Sequence, residues 1–352
     1  MKRIASFDGL RFFAALTIVL VHIGTRFRIS YPFRSGYLAV ELFFILAGFL
    51  LAQSYDALDK HSHNNNILIC KTYFFHRFFR LWPEYFLAMI IAIFFKHLSL
   101  HEAQPFFLNV FMIAGWGGIP YLLPGAWFIP VIFWCSCLLF SLIVFQKDKA
   151  KALTLPIIAM LCLFYLVNQH KFDIFRQTSF AYISAGTIRG LFALIVGIYT
   201  YWGCQMLKTY KTKWNPSFVI MTLLIGELIS VIGLGYIFIF QRKYNLGLFN
   251  VYFYISYIIG LLYFQKERLL KFLSWKIWIP LSGISYSLYL VHPIVIFFLK
   301  AHYLQWIKLH IITGSVLTVS LSLMLAAFCY LSTKCLVNNL RKIAFNKVQN
   351  RN

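Results

Sequence analysis

Residues 7–24 read FDGLRFFAALTIVLVHIG, an apolar stretch long enough to cross a bilayer that nevertheless contains Arg11 and His22. An arginine at the centre of a membrane helix costs about 2.5–3.5 kcal/mol, so such side chains face protein or a polar cavity rather than lipid. At about 100° per residue, the step from Arg11 to His22 returns the helix to within about 20° of its starting direction, about 16 Å further along the axis. Arg11 and His22 therefore lie on one face, and we interpret the pair as the first half of an active site.

The whole chain has the composition of a polytopic membrane protein. It has 352 residues, of which 61% are hydrophobic and only 12% are charged, about half the charged fraction of a soluble domain. We expect 1–335 to form one transmembrane domain and 336–352 a basic cytoplasmic tail. We predict an all-α fold with ten transmembrane helices near 7–25, 37–55, 81–98, 126–145, 153–168, 184–206, 216–240, 248–265, 280–299 and 310–335.

The net charge of +23 is better explained by membrane topology than by a nucleic-acid partner. About twice as many Lys and Arg fall on the side of the two termini as in the opposite loops, so we place both termini in the cytoplasm. Arg26, Arg28 and Arg34 depart from this bias in the first outer loop, where they can bind an anionic substrate or a lipid headgroup. We expect membrane lipids as partners of the basic tail. The cysteines lack metal-ligand spacing, so we predict no metal site.

A carboxylate is expected at the same depth as His22. The first helix runs outward and the second runs back, and His22 and Glu41 lie at nearly equal distances from the turn between them. A carboxylate beside an imidazole fixes its tautomer and stabilises the imidazolium, which makes the histidine a competent general base. We therefore predict His22 and Glu41 as catalytic residues. The alternative is that Glu41 only neutralises a structural histidine or an outer arginine.

A basic cluster occurs at the inner end of the third span, in FFHRFFRLWPEY at 74–85. Arg77 and Arg80 are i, i+3 neighbours on one helical face, and their planar guanidinium groups suit phosphate. Because Arg11 lies near the same inner depth, we favour an anion site formed by these three arginines over ordinary positive-inside anchoring. Glu84, one turn further along, can orient Arg80 or form an ion pair with it.

Several further residues fit either a substrate-binding or a structural role. Glu227 lies in the middle of the seventh span and needs a polar partner, whereas Arg189 opens the sixth span and can extend its charge to the interface. His292 lies on roughly the same face of the ninth span as Ser285. The residues with this open assignment are Asp8, Glu84, Trp127, Glu227, Ser285, Tyr286 and His292. Segment 104–125 is apolar but interrupted by Gly and Pro, so we expect an outer-face or re-entrant element rather than a span.

These motifs together resemble the acyltransferase-3 family of integral membrane acyltransferases, which O-acylate bacterial glycans and other acceptors. The basic residue, ten others and then His of the first span match the signature of that family. The other motifs that resemble the family are VELFFILAGFLL (40–51), YFFHRFFRLWPEYF (73–86), AWFIPV (126–131) and ISYSLYLVHP (284–293). Two positions depart from it: Ala47 replaces a common Ser, and Ile132 replaces a Glu of many members, whose role Glu227 can take.

The resemblance implies an O-acyltransferase of the bacterial cytoplasmic membrane. Its donor would be acyl-CoA, with acetyl-CoA expected, bound as a substrate rather than as a resident cofactor. The anionic end of the donor would meet Arg11, Arg77 and Arg80, and His22 would act as general base on a hydroxyl of a cell-surface glycan or its lipid-linked precursor. Direct transfer and a covalent acyl-enzyme both stay open. Many relatives append an extracytoplasmic hydrolase-like domain; this chain ends at Asn352, so we expect a stand-alone enzyme.

Two other functions fit the same residues. A transporter or flippase for an anionic lipid-linked glycan would use Arg11, Arg77 and Arg80 as the substrate path. A non-enzymatic scaffold of a glycan-assembly complex would not need His22. The sequence shows no obvious internal repeat, which weighs modestly against a transporter built from inverted repeats.

Overall fold

The fold is that of a computed structural model, which carries no membrane. It describes residues 3–29, 31, 33, 35–60, 65–96, 105–116, 118–123, 125–169, 178–179, 183–209, 216–241 and 246–349. Arg34, the third cation of the first outer loop, lies outside these residues.

Ten long helices account for most of the described chain, and all ten are apolar and long enough to span a membrane, Asn250–Phe264 together with the 3-10 segment Leu246–Phe249 before it. They are α1 (Ala5–Phe27), α2 (Ala39–Asp59), α3 (Asn66–Lys96), α4 (Phe128–Gln146), α5 (Ala150–Asn168), α6 (Ala185–Thr209), α7 (Pro216–Phe240), α8 (Asn250–Phe264), α9 (Trp278–Leu309) and α10 (Ile311–Gln349). Shorter elements are the helix Phe106–Val110, the 3-10 segments Gly36–Leu38, Leu246–Phe249 and Leu269–Ser274, and a two-stranded antiparallel pair, Thr178–Ser179 with Ile183–Ser184. The prediction of an all-α membrane protein with ten spans is confirmed.

Helix α3 begins well before the predicted span at 81–98. The extra turns are stabilised by aromatic packing, because Tyr73 stacks on Phe140 of α4 with ring centroids 3.8 Å apart. The charged residues in the first turns of α3, before residue 81, lowered the hydropathy of that part of the sequence. They lie on a helix whose other face is packed. Arg77 and Arg80 therefore lie within α3 rather than at its end.

Two helix pairs form the centre of the bundle. Helix α2 packs along α6, and α1 packs along α9, which also contacts α10. Glycines allow the backbones of α2 and α6 to approach closely: a Cβ on Gly48 or on Gly197 would lie 1.9 Å from a carbonyl oxygen of the facing helix. Helices α3, α5, α7 and α10 are the least buried of the ten and form the periphery.

The segment before α4 is irregular, as its glycines and prolines predict. Gly115, Gly118 and Gly125 have positive φ angles, which glycine adopts without a steric penalty. The amide of Asn109 holds the segment together, since its nitrogen donates to the carbonyls of Pro105 and Pro120, each at 3.0 Å. This internal network satisfies backbone groups that lipid would leave without partners.

Candidate active site

His22 and His292 form a hydrogen-bonded histidine pair between α1 and α9. The Nδ1 atom of His22 lies 2.7 Å from the Nε2 atom of His292, and the rings stack with centroids 5.0 Å apart. His292 is 1% exposed, whereas His22 is partly exposed. His22 is therefore the accessible member of the pair, and His292 supports it from within the bundle.

The hydrogen bonds determine where the protons lie on this pair. The carbonyl oxygen of Leu288 lies 3.0 Å from Nδ1 of His292 and can only accept, so that nitrogen carries a proton. In the neutral ring, Nε2 of His292 is then an acceptor, and Nδ1 of His22 donates to it. The remaining ring nitrogen, Nε2 of His22, therefore has a free lone pair.

The sequence around His292 explains how α9 orients this ring. Pro293 has no N–H, so the carbonyl of Tyr289 loses its helical donor in the middle of α9. The carbonyls of Leu288 and Tyr289 both interact with the His292 ring. The Tyr289 hydroxyl in turn donates to the carbonyl of Gly125 at 3.0 Å, which ties α9 to the segment before α4.

Glu41 is not paired with His22, which corrects the expected arrangement. Its carboxylate accepts a hydrogen bond from Nε of Arg189 and interacts with Tyr252. Glu41 is fully buried and Arg189 is 1% exposed, so this is a buried ion pair between α2 and α6. Glu41 lies in the first turn of α2, at the end that its predicted depth requires, but depth in the membrane does not identify its partner. A catalytic role for Glu41 stays a prediction.

Arg189 is correspondingly not the interfacial residue that its place at the start of the sixth span suggested. Two aromatic rings flank its guanidinium group: those of Tyr37 at 5.6 Å and Trp127 at 5.7 Å. Cation–π contacts of this kind are strongest where the cation is removed from water. Trp127, which the sequence left open, therefore contacts the ion pair of α2 and α6.

A second polar cluster lies at the opposite end of α1. Asp8 accepts hydrogen bonds from Arg3 at 2.7 Å, from Arg11 at 3.4 Å and from the Ser282 hydroxyl of α9 at 3.0 Å. Ser285, one turn further along α9, donates to the carbonyl of Ser282 at 2.8 Å. Asp8 therefore orients Arg11 and joins α1 to α9 at this end.

The three arginines predicted to bind an anion lie close enough for their charges to interact. Arg11 interacts with the charges of Arg77 and Arg80, and Arg80 also interacts with Glu84 and Asp8. Arg80 is exposed and Arg11 partly exposed. The clustering of like charges is unfavourable unless an anion or carboxylate offsets it, which is consistent with an anion site.

Hydrogen bonds from α9 position α3 beside this cluster. The Ser287 hydroxyl donates to the carboxylate of Glu84, and the Tyr286 hydroxyl donates to the carbonyl of Leu81 at 3.1 Å. Arg77 is held separately, since its Nε donates to the Tyr73 hydroxyl at 3.0 Å. The motif ISYSLYLVHP thus contacts α1, α3 and the segment before α4, which explains why its polar residues are so closely spaced.

Glu227 has a structural role in the described chain. Its carboxylate accepts hydrogen bonds from the backbone N–H groups of Arg268 and Leu270, each at 2.9 Å. These groups open the 3-10 segment Leu269–Ser274, which packs against α1. Ile132, where many family members have Glu, is buried in a π-helical turn of α4. The carboxylate of Glu227 thus binds the loop at Arg268 and Leu270, and none of these contacts links it to Ile132.

Sequence reasoning missed three members of these clusters: Arg189 as a buried ion-pair partner, and Ser282 and Ser287 as donors to Asp8 and Glu84. A signal existed for the serines, because buried carboxylates need donors and Ser282, Ser285, Tyr286 and Ser287 follow one another closely at the start of the ninth span. No local signal assigned Arg189 to Glu41, since the two are far apart in the chain.

The comparisons with known proteins give one family match. The model of the acyltransferase-3 family, described as an acyltransferase domain, matches residues 4–333, which contain both histidines and the three arginines. No curated protein and no solved structure matches the chain significantly.

Proposed function

The chain belongs to the acyltransferase-3 family, and from that premise we propose that it transfers an acetyl group from cytoplasmic acetyl-CoA to a hydroxyl of a cell-surface glycan or its lipid-linked precursor. It would do so as a multi-pass protein of a bacterial cytoplasmic membrane, with both termini in the cytoplasm. The observation that carries the proposal is the hydrogen-bonded His22–His292 pair, which leaves Nε2 of His22 available as a base.

His22 acts as the general base in this proposal. Its Nε2 removes the proton of the acceptor hydroxyl while the hydroxyl oxygen bonds to the thioester carbonyl carbon. The carbon–sulfur bond then breaks, and the CoA thiolate recovers the proton from His22. His292 holds the His22 ring in the required tautomer throughout. A positioned base of this kind contributes about 10²–10⁴-fold to the rate.

The arginine cluster supports binding of the donor. Acyl-CoA carries several phosphates, and guanidinium groups bind phosphate through paired, charge-assisted hydrogen bonds. Arg80 is exposed, and Arg11 lies on the His22 face of α1, about 16 Å away along the helix axis. The extended pantetheine arm then runs along the interface of α1 and α9 toward His22.

Direct transfer is favoured over an acyl-enzyme. Among the side chains that the structure describes, the hydrogen-bond partner of His22 is His292, and no serine or cysteine side chain bonds to either histidine. A covalent mechanism needs a nucleophile within hydrogen-bonding reach of its base. The acceptor hydroxyl itself fills that role.

The proposal is tested with inverted membrane vesicles, which expose the cytoplasmic face. Acetyl-CoA labelled in the acetyl group is added, and label in the extracted glycan is compared between vesicles with the protein, without it and with His22→Ala. We expect label only with the unaltered protein. Equal label in all three preparations, with glycan absent from the opposite face in the two defective ones, would replace the proposal by a transporter.

A further inference from the structure

A pocket lies against the last turn of α1, at the end of the bundle that holds His22. Its volume is about 290 Å³, and its lining includes Val21, Thr25 and Arg28. Val21 precedes His22 directly, and the Thr25 hydroxyl lies 3.3 Å from the carbonyl oxygen of His22. The pocket therefore lies at the level of His22 along α1, on a neighbouring face of the same helix.

Arg28 occupies an unusual backbone conformation at the edge of this pocket. It follows the end of α1 with φ 56° and ψ 42°, the left-handed conformation that favours Gly or Asn. A residue with a Cβ is strained in this conformation. The side chain is exposed, and a glycine would terminate the helix equally well. Arg28 thus differs from a glycine at this position by its strained backbone and by its guanidinium group, and only the guanidinium group can favour the arginine.

The opposite part of the lining is aromatic. Tyr31 and Phe33 both border the pocket, with ring centroids 5.9 Å apart, and both are partly exposed. Gly24 makes room for Tyr31, because a Cβ at Gly24 would lie 2.6 Å from the Cβ of Tyr31. Exposed aromatic rings beside a cation suit a ligand with an apolar ring face and an anionic group.

The charge around the pocket is positive and not neutralised within the described chain. Neither Arg26 nor Arg28 is among the ion pairs formed by the described residues. The charge of Arg26 also acts on both His22 and His292. In the sequence, the loops on this side of the membrane contain only two acidic residues, Glu102 and Asp173. An anion is therefore attracted to this end of the bundle.

We propose that this pocket binds an acidic sugar of the acceptor glycan, with its carboxylate or phosphate at Arg28 and its ring against Tyr31 and Phe33. The bound sugar then holds a hydroxyl of the same glycan molecule beside His22. This inference rests on the proposed function and narrows the acceptor to anionic glycans.

The test is a binding measurement on the full chain in nanodiscs of phosphatidylcholine. The probes are tetragalacturonate and maltotetraose, which have the same length and differ in charge. We expect tetragalacturonate to bind at least tenfold more tightly, with an affinity that falls as salt rises. Arg28→Gln should remove that advantage, Arg28→Lys should retain part of it, and Phe33→Ala should weaken binding of both probes.

The matched control is Lys300→Gln, which removes an exposed cation near the outer end of α9. An unchanged affinity in this variant, with a melting temperature of Arg28→Gln equal to that of the unaltered protein, supports a specific site. An equal loss in both variants would overturn the proposal in favour of general surface charge. Loss of tetragalacturonate binding on addition of phosphatidylglycerol would overturn it in favour of a lipid headgroup.

The binding assay contains no donor, so it separates the two proposals. Specific binding through Arg28 by a protein that transfers no acetyl group would leave the pocket assigned and reject the acyl transfer. Transfer by a protein that binds both probes equally would reject the acidic-sugar site alone.

Discussion

The Nδ1 atom of His22 lies 2.7 Å from the Nε2 atom of His292, which joins the first and ninth spans by a bond between two imidazoles. Because a backbone carbonyl fixes the proton of His292, the pair has a single neutral arrangement in which Nε2 of His22 is unprotonated. The proposed general base is therefore hydrogen-bonded to a second histidine, and not to the carboxylate that the sequence suggested.

Replacing His292 should reduce turnover without changing donor binding. In His292→Ala the His22 ring loses its acceptor and can rotate or change tautomer, which we expect to cost about 10²-fold in kcat. His292→Gln should recover part of the rate, since its amide oxygen can accept the same hydrogen bond. Initial rates in proteoliposomes at varied acetyl-CoA give kcat and KM separately. The control is His302→Gln, which replaces an exposed histidine of the same helix. A His292→Ala variant in which only the KM for acetyl-CoA rises would contradict the orienting role.

Replacing Arg80 should chiefly weaken donor binding. A hydrogen bond to a charged group contributes about 1.5–3 kcal/mol, so Arg80→Ala should raise the apparent KM for acetyl-CoA by about tenfold or more. Arg80→Lys should restore only part of this, because an ammonium group lacks the paired donors of guanidinium. Lys149→Ala, an exposed cation between α4 and α5, should leave KM unchanged. If detergent-solubilised Arg80→Ala keeps its donor dependence, the phosphate site is wrong.

The buried Glu41–Arg189 pair should matter first for stability. Removing one partner leaves an uncompensated charge in the bundle, which costs about 3–5 kcal/mol. Glu41→Met and Arg189→Met should each lower the melting temperature of the solubilised protein, and the double variant should recover most of the loss. Thermal unfolding of the four proteins forms a double-mutant cycle. Additive losses would show that the two side chains are not coupled.

Glu227 should anchor the segment that precedes α9. In Glu227→Gln the carboxylate that accepts from Arg268 and Leu270 becomes a neutral amide, and the loop should loosen. We expect faster amide hydrogen exchange over 268–274, with the rate at α4 unchanged. Exchange measured by mass spectrometry on the solubilised protein checks this. Protection equal to that of the unaltered protein would argue against the anchoring role.

The sequence predicted the spans well because each consists of a long apolar run, a signal that does not depend on distant contacts. Two helix ends departed from the prediction. Helix α3 starts earlier, since His76, Arg77 and Arg80 lowered the hydropathy of a stretch that has a packed aromatic face, and α9 continues past 299 to Leu309. Helix α10 continues past the predicted boundary at 335 to Gln349, and the division into a membrane domain and a cytoplasmic tail stays a prediction.

The candidate site was only partly predictable. Helical periodicity placed Arg11 and His22 on one face. The structure places His22 against His292 of α9, and Arg11 beside Asp8, which accepts a hydrogen bond from Ser282 of α9. Depth alone suggested Glu41 as the partner of His22, yet several spans share that depth. Choosing His292 required knowing that α9, rather than α2, presents its polar face to His22, which is a property of helix packing and not of either segment alone.

The most direct test of the account is mass spectrometry of surface glycans from cells with the unaltered gene, without it and with His22→Ala at equal protein level. Both defective strains should lose one acetyl mass from each modified repeat while the glycan still reaches the surface. Full acetylation in the His22→Ala strain would contradict the role of His22 as general base. Full acetylation in the deletion strain, with glycan stranded inside the cell, would contradict the acyltransferase itself.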